Sequence, residues 1–457
     1  MPDETRSNVY KLFRATRVSP DTKIRPDEQL AFYDAGLGSR GEVGEPSRGF
    51  WRRIYNFLSQ GTGLGITRNV IDCYAAIIRM WEPGDRIYLF GFSRGAYTVR
   101  CVGGVLFYCG VPTHMKDGSP LKRDSKSAHA IAAEAVKDVY QYGSSIKGDP
   151  LRGQRMERAY KFRNEYGSGN TVRSNESPYF IGVWDTVSTL GAGWRGIFGI
   201  AIAYLALAFV IASLIKWGVG YFASGSLFDF SRFTLFVTFA FVVPGLLYVI
   251  ASVRYKQPLS LKRYRMAFYN TNLDPAVSYA RHALSIDENR RDFPRVPWSE
   301  EAPDNPLLNK KEGVERFVQI WFAGNHSDIG GSYAENESRL SDIALSWMVE
   351  QATSVSHPIV VDRSLLNLYP LSSGPQHDER RSLIDRQPGW LIKLASRFIP
   401  PSKLGWAEGF RQVPPDAPLH PSVLERFTQK GVLIYGDTVP YRPNNLRQHR
   451  DTKHFYS

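Results

Sequence analysis

The sequence predicts an α/β fold: a largely parallel sheet with flanking helices, interrupted by a two-helix transmembrane hairpin. Three observations carry that expectation. The runs 86–90, 179–184 and 318–323 are mostly apolar, rich in β-branched and aromatic residues, and short, as buried strands are. Stretches of helical period lie between them, and strands alternating with helices point to a parallel sheet. Finally, 196–215 and 233–253 hold no charged residue. Each is long enough to cross about 30 Å of hydrocarbon as a helix.

Taken in order, residues 8–18 read as a short amphipathic helix and Ala31-Phe32-Tyr33 as a strand entering a turn over 34–38. The glycines of 61–65 resemble a phosphate loop, but no Gly-Lys-Ser/Thr follows, so they read as a packing turn before a helix over 66–80. The polar stretch 113–172, helical in period near 127–142, suits a cap or surface insertion. The strand 179–184 ends at Asp185, 274–288 reads as a helix, and the strand 318–323 ends near His326. Basic residues crowd the outer flanks of the apolar pair: Arg195 before it, then Arg254, Lys256, Lys262, Arg263 and Arg265. The positive-inside rule therefore places both termini and the catalytic domain in the cytoplasm, in an integral membrane protein with two spans. The expected organisation is 1–195 and 254–457 as two parts of one α/β domain, with 196–253 inserted as the hairpin. Residues 387–411 mix aromatic and basic side chains; they fit an interfacial segment or lid, and equally an amphipathic surface helix.

Gly91-Phe92-Ser93-Arg94-Gly95 follows one of the strands and opens a helical stretch. Strand, G-x-S-x-G and helix together make a nucleophile elbow. Glycines Gly91 and Gly95 are expected because side chains beside so sharp a turn would clash. The helix N-terminus, with the backbone N–H of Arg94, would face a developing oxyanion. A serine hydroxyl needs a histidine base, and the histidine needs a carboxylate to hold its tautomer. In an α/β-hydrolase these follow in the order Ser, acid, His. Asp185 and His326 meet both the order and the strand-end position, so Ser93, Asp185 and His326 are the candidate catalytic set. Asp34 ends a strand but precedes the serine, and Asp328 lies close to His326 in sequence. His282 falls in a stretch read as helical, where a packing or surface histidine is the default. His420 is the rival base. A metal reading of His326, Asp328 and Asp342 lacks a compact ligand set.

These residues resemble a known family. The segments around Gly91–Gly95, Gly182-Val183-Trp184-Asp185, His282–Arg290, Trp321–Gly331 and His420-Pro421-Ser422 are similar to the bacterial α/β-hydrolases that include the first class of type VI secretion lipase effectors. The resemblance implies a phospholipase with Ser93 as nucleophile, Asp185 as acid and His326 as base. Members of that family usually begin with an apolar strand running into an Asp-Gly-Thr turn, and this chain starts after that point. The resemblance therefore implies an upstream first strand whose turn supplies the second oxyanion donor.

The net charge of +13 favours an anionic partner. With two apolar spans, that partner is a phospholipid surface rather than nucleic acid, for which no module is recognisable. Cys73, Cys101 and Cys109 are an odd number without ligand spacing and read as buried apolar residues in a reducing compartment. The expected function is a membrane-anchored serine esterase acting on phospholipid or another lipid ester. No cofactor, metal or nucleic acid is expected, and the sequence names no secretion or immunity partner. The competing reading is a crippled or non-catalytic hydrolase-fold membrane protein with a binding role.

Overall fold

The computed structural model describes residues 6–35, 64–143, 149–187, 273–291, 293–298, 310–311, 313–381 and 408–456. Contacts divide the chain into two compact units. One is Met1–Glu45, Gly65–Ser188 and Ala267–Ser457; the other is Pro46–Leu64 and Thr189–Met266.

The centre of the first unit is a four-stranded sheet of β1 (Tyr88–Phe92), β2 (Phe180–Trp184), β3 (Tyr279–Ser285) and β4 (Phe317–Phe322), in that spatial order. All three pairings are parallel, with Phe92 opposite Trp184, Trp184 opposite Ala283 and Ser285 opposite Phe322. Strands covered on both faces lose the polar–apolar alternation, and β2 and β3 are buried at every position. The helices are α1 (Asn8–Thr16), α2 (Leu64–Met80), α3 (Arg94–Cys109), α4 (Ser125–Glu134), α5 (Arg152–Tyr166), α6 (His326–Gly330), α7 (Arg339–Thr353) and α8 (Pro421–Thr428). Ser7 caps α1 by accepting from the Tyr10 N–H, and α1 buries Leu12 and Ala15 in a core shared with Phe180, Trp184, Phe322 and Met348. The Asn8 amide, fully buried, donates to the carbonyls of Ile329 (2.9 Å) and Ser341 (3.0 Å). Through those two bonds α1 is tied to α6 and α7.

The structure corrects three expectations. Residues 279–285 are a central strand, not a helix. Their Tyr-Ala-Arg-His-Ala-Leu-Ser sequence shows neither alternation nor a β-branched residue, and tertiary pairing on both sides overrides that weak local preference. Residues 31–33 form no strand. Side chains hold this region instead: Gln29 exchanges hydrogen bonds with the Val360 backbone, and Tyr33 stacks on Phe13 at 5.2 Å. Helix α5 escapes the sequence pattern because it is nearly all polar. It is held in place by burying Arg163, which donates to the Tyr108 (2.5 Å) and Asn170 (2.8 Å) carbonyls.

The third correction concerns the expected transmembrane hairpin and the integral-membrane placement built on it. Among the described residues no helix is long and apolar enough to cross a membrane. The longest of them, α2, has 17 residues and includes Arg68, Asp72 and Arg79. A span requires about 20 predominantly apolar residues. The runs 196–215 and 233–253 lie outside the described residues.

The elbow glycines differ from each other. A Cβ on Gly91 would lie 2.4 Å from the Gly95 carbonyl oxygen, whereas a Cβ on Gly95 would meet nothing within 4 Å. Gly91→Ala is therefore expected to lower stability by about 1–3 kcal/mol, the usual cost of forcing an atom into a packed site. Gly95→Ala, in the first turn of α3, should be neutral or mildly stabilising. Chemical denaturation of the two variants beside the parent chain checks this; equal losses would contradict it.

Candidate active site

Ser93 occupies the turn between β1 and α3. Its φ of 59° and ψ of −121° put it in a region L-residues rarely adopt, and holding such a residue costs on the order of 1–3 kcal/mol. Ladder bonds hold the turn: the Ser93 N–H donates to the Trp184 carbonyl (3.1 Å), and the Ser93 carbonyl accepts from the Tyr97 N–H (3.2 Å). Arg94 is the first residue of α3, where the helix dipole favours negative charge. The Ser93 side chain makes no capping bond to that helix. It lines a cavity of about 1190 Å³ together with Gly91, Arg94, Gly95, Tyr33 and Ser332.

Asp185 stands one residue beyond β2, beside Ser93 on the neighbouring strand. Its φ is also positive, 42°, and the Asp185 N–H donates to the Ala283 carbonyl (2.8 Å). The carboxylate is fully buried. Its Oδ1 accepts from the Ser285 N–H (3.0 Å) and from Arg411 Nη1; Oδ2 accepts from Arg411 Nη2 (2.9 Å) and faces His326 Nδ1 at 2.5 Å. Burial by itself pushes the carboxyl up. The Arg411 charge and the His326 hydrogen bond outweigh that and hold it well below the usual carboxylate range.

His326 opens α6 in the loop after β4. Asn325 and Asp328 form a capping box around the start of that helix. The His326 N–H donates to Glu288 Oε2 (3.2 Å), and the imidazole sits 4.6 Å from the Phe92 ring and 5.6 Å from the Phe293 ring. Glu288 is itself buried and paired with Arg290 at 2.7 Å.

Of the three expected residues, the structure joins Asp185 to His326 directly. Ser93 follows Phe92, whose ring packs on His326. Among the described residues no hydrogen bond links its hydroxyl to the imidazole, a bond that often tightens only in the substrate complex. Asp34 lines the cavity. His282 lies buried on β3, between Gln319 (3.0 Å) and the Thr186 N–H (3.4 Å). His420 caps α8, bonding Ser422 at 2.9 Å and stacking on Phe322 at 4.6 Å, away from Asp185. Asp328 binds His377 at 2.7 Å and Asp342 binds Lys11 at 3.0 Å. Among the described residues no group of three or more His, Cys, Asp and Glu is placed to hold a metal. The partner that the sequence does not single out is Arg411, 226 positions from Asp185 and grouped by composition with the 387–411 segment. Residues 382–407 of that segment lie outside the described residues.

Comparison with known proteins places the chain in a family. The family model described as the T6SS phospholipase effector Tle1-like catalytic domain matches residues 1–213 and 237–351. The chain belongs to that family. It is also 33% identical over 103 residues to the uncharacterized protein YEL023C of Saccharomyces cerevisiae, a match covering 22% of this chain and 14% of the yeast protein. A crystal structure of an uncharacterized protein from Pseudomonas aeruginosa aligns over 80% of this chain and 44% of its own, at 15% identity and a TM-score of 0.28. The chain thus spans less than half of either relative.

Burial, reinforced by the Arg100 charge, pushes the His282 imidazole down to about 3. The unfolded chain protonates this histidine below about pH 6.5, while the folded one keeps it neutral. The stability tied to its neutrality is therefore complete above about pH 6.5 and lost as pH falls towards 3. The expected slope is at most about 1.4 kcal/mol per pH unit. His282→Gln should flatten denaturation midpoints between pH 6 and about 4; an unchanged slope would contradict the assignment.

Proposed function

We propose that this chain is a serine hydrolase that cleaves acyl esters of phospholipids through Ser93, Asp185 and His326. The observation that carries the reading is the buried 2.5 Å contact between Asp185 Oδ2 and His326 Nδ1, beyond the ends of β2 and β4 in the sheet whose β1 leads into a strained serine elbow. Asp185 accepts a hydrogen bond from Nδ1–H, which leaves Nε2 as the basic nitrogen. The Ser93 hydroxyl attacks the ester carbonyl as Nε2 takes its proton. The tetrahedral oxyanion is stabilised by the Arg94 N–H and the helix dipole. On collapse the proton passes to the departing alcohol, leaving an acyl-Ser93; water, deprotonated by the same imidazole, then releases the fatty acid. Membership in a phospholipase effector family and a net charge of +13, which favours anionic headgroups, support the lipid substrate.

Fatty-acid release from mixed phosphatidylethanolamine–phosphatidylglycerol vesicles tests the proposal. Ser93→Ala and His326→Ala should each abolish most of the release, and the double variant should lose little more, because the two act as one unit. Asp185→Asn should cost on the order of 10⁴. His420→Ala should change the rate far less. If His420→Ala stops the reaction while His326→Ala leaves it near the parent rate, the base is wrongly assigned.

A further inference from the structure

An acid that serves a histidine base by its charge is ordinarily left as the sole ion beneath it. Here a second ion shares the carboxylate. Arg411 is buried, and its guanidinium fork spans both oxygens of Asp185 while Nη2 also donates to the Phe293 carbonyl (3.2 Å). That carbonyl belongs to the residue whose ring packs against His326. The Asn445 amide in turn donates to the Arg411 carbonyl (3.2 Å) and the Ile286 carbonyl (2.8 Å), fixing the backbone at 411 to the end of β3. Arg411 therefore touches the acid and one wall of the imidazole pocket at once.

We propose that Arg411 is a positioning residue of this site: its fork fixes the plane of Asp185 beneath His326 and offsets the carboxylate charge, so that the imidazole stays free to accept the serine proton. This rests on the triad reading above. A bidentate arginine–carboxylate pair fixes orientation as well as distance. The electrostatic consequence has a definite sign. A bare carboxylate at 2.5 Å strongly favours imidazolium, whereas a carboxylate already paired with a guanidinium favours it less. Among the described residues, Glu288, which accepts from the His326 N–H, is tied to Arg290, and Asp328, on the same helix as His326, is tied to His377. Each is balanced by a partner of its own. Arg411 is thus the cation whose removal leaves the Asp185–His326 pair with uncompensated negative charge, and the pair then takes up a proton at higher pH.

Two measurements on the full chain test this. In the pH profile of kcat/KM, Arg411→Gln should move the acid limb up by about one unit, the lower end of the effect of a charge at this range. Below the limb that is about a tenfold loss. Arg411→Lys, which keeps the charge and loses the fork, should leave the limb in place and lower the rate. Independently of turnover, the His326 ring signals in Ser93→Ala protein should change position once Arg411→Gln is added, because the fork no longer fixes the carboxylate beneath the ring. A limb and ring signals that do not move in Arg411→Gln protein of normal melting behaviour would overturn the proposal. If Arg411→Gln does not fold, Arg411→Lys decides, and a rate equal to the parent would overturn it. Full turnover by Ser93→Ala would refute the triad reading, while the His326 ring signals would still judge Arg411.

Discussion

A carboxylate with no exposed surface sits at the end of a strand buried along its whole length, and the surrounding structure is arranged to keep it ionised. An unpaired charge in that position would cost several kcal/mol. Asp185 avoids this with four donors from three residues: the Ser285 backbone, two nitrogens of Arg411, and His326. They come from separate parts of the chain, so the site forms only when β2, β3, the loop after β4 and the segment at 411 are all in place. The left-handed backbone at Asp185 follows from the same demand, since the chain must turn at once after β2 to aim the carboxylate across the end of β3.

The parallel sheet supplies the geometry. Strands running in one direction end together, and in open α/β sheets the functional groups gather beyond those carboxyl ends. Ser93 follows β1, Asp185 follows β2, Glu288 lies shortly after β3, and His326 lies shortly after β4. Pairing of Phe92 with Trp184 brings serine and acid to neighbouring positions. The imidazole reaches Asp185 from beyond β3 because its own loop is capped by Asn325 and Asp328 and held at its amide by Glu288. Asn8 adds a further tie, joining α1 to α6. A change at Asn8 would thus reach the histidine without touching it.

What could be read in the sequence was whatever depends on local signals. The elbow is a contiguous motif, and β2 and β4 are short apolar runs whose ends coincide with Asp185 and the His326 loop. Those signals were enough to single out the pair that the structure joins. The central strand β3 was misread because Ala, Arg, His and Leu carry no strand signature, and only pairing with β2 and β4 decides its form. Arg411 was seen as one basic residue among several, since nothing local distinguishes a guanidinium that will be buried on a distant carboxylate. The hydrophobicity of 196–215 and 233–253 suggested an anchor, which no helix of the described residues bears out.

The proposed chemistry stands or falls on Ser93 as the nucleophile and His326 as its base. Treatment of the full chain with a fluorophosphonate, followed by peptide mapping in the mass spectrometer, tests it most directly, because the reagent marks only a serine that has been activated. One adduct is expected, on the peptide containing Ser93, formed rapidly by the parent chain and very slowly after His326→Ala. An adduct on another residue, or esterase turnover by a chain whose Ser93 stays unmodified, would contradict it.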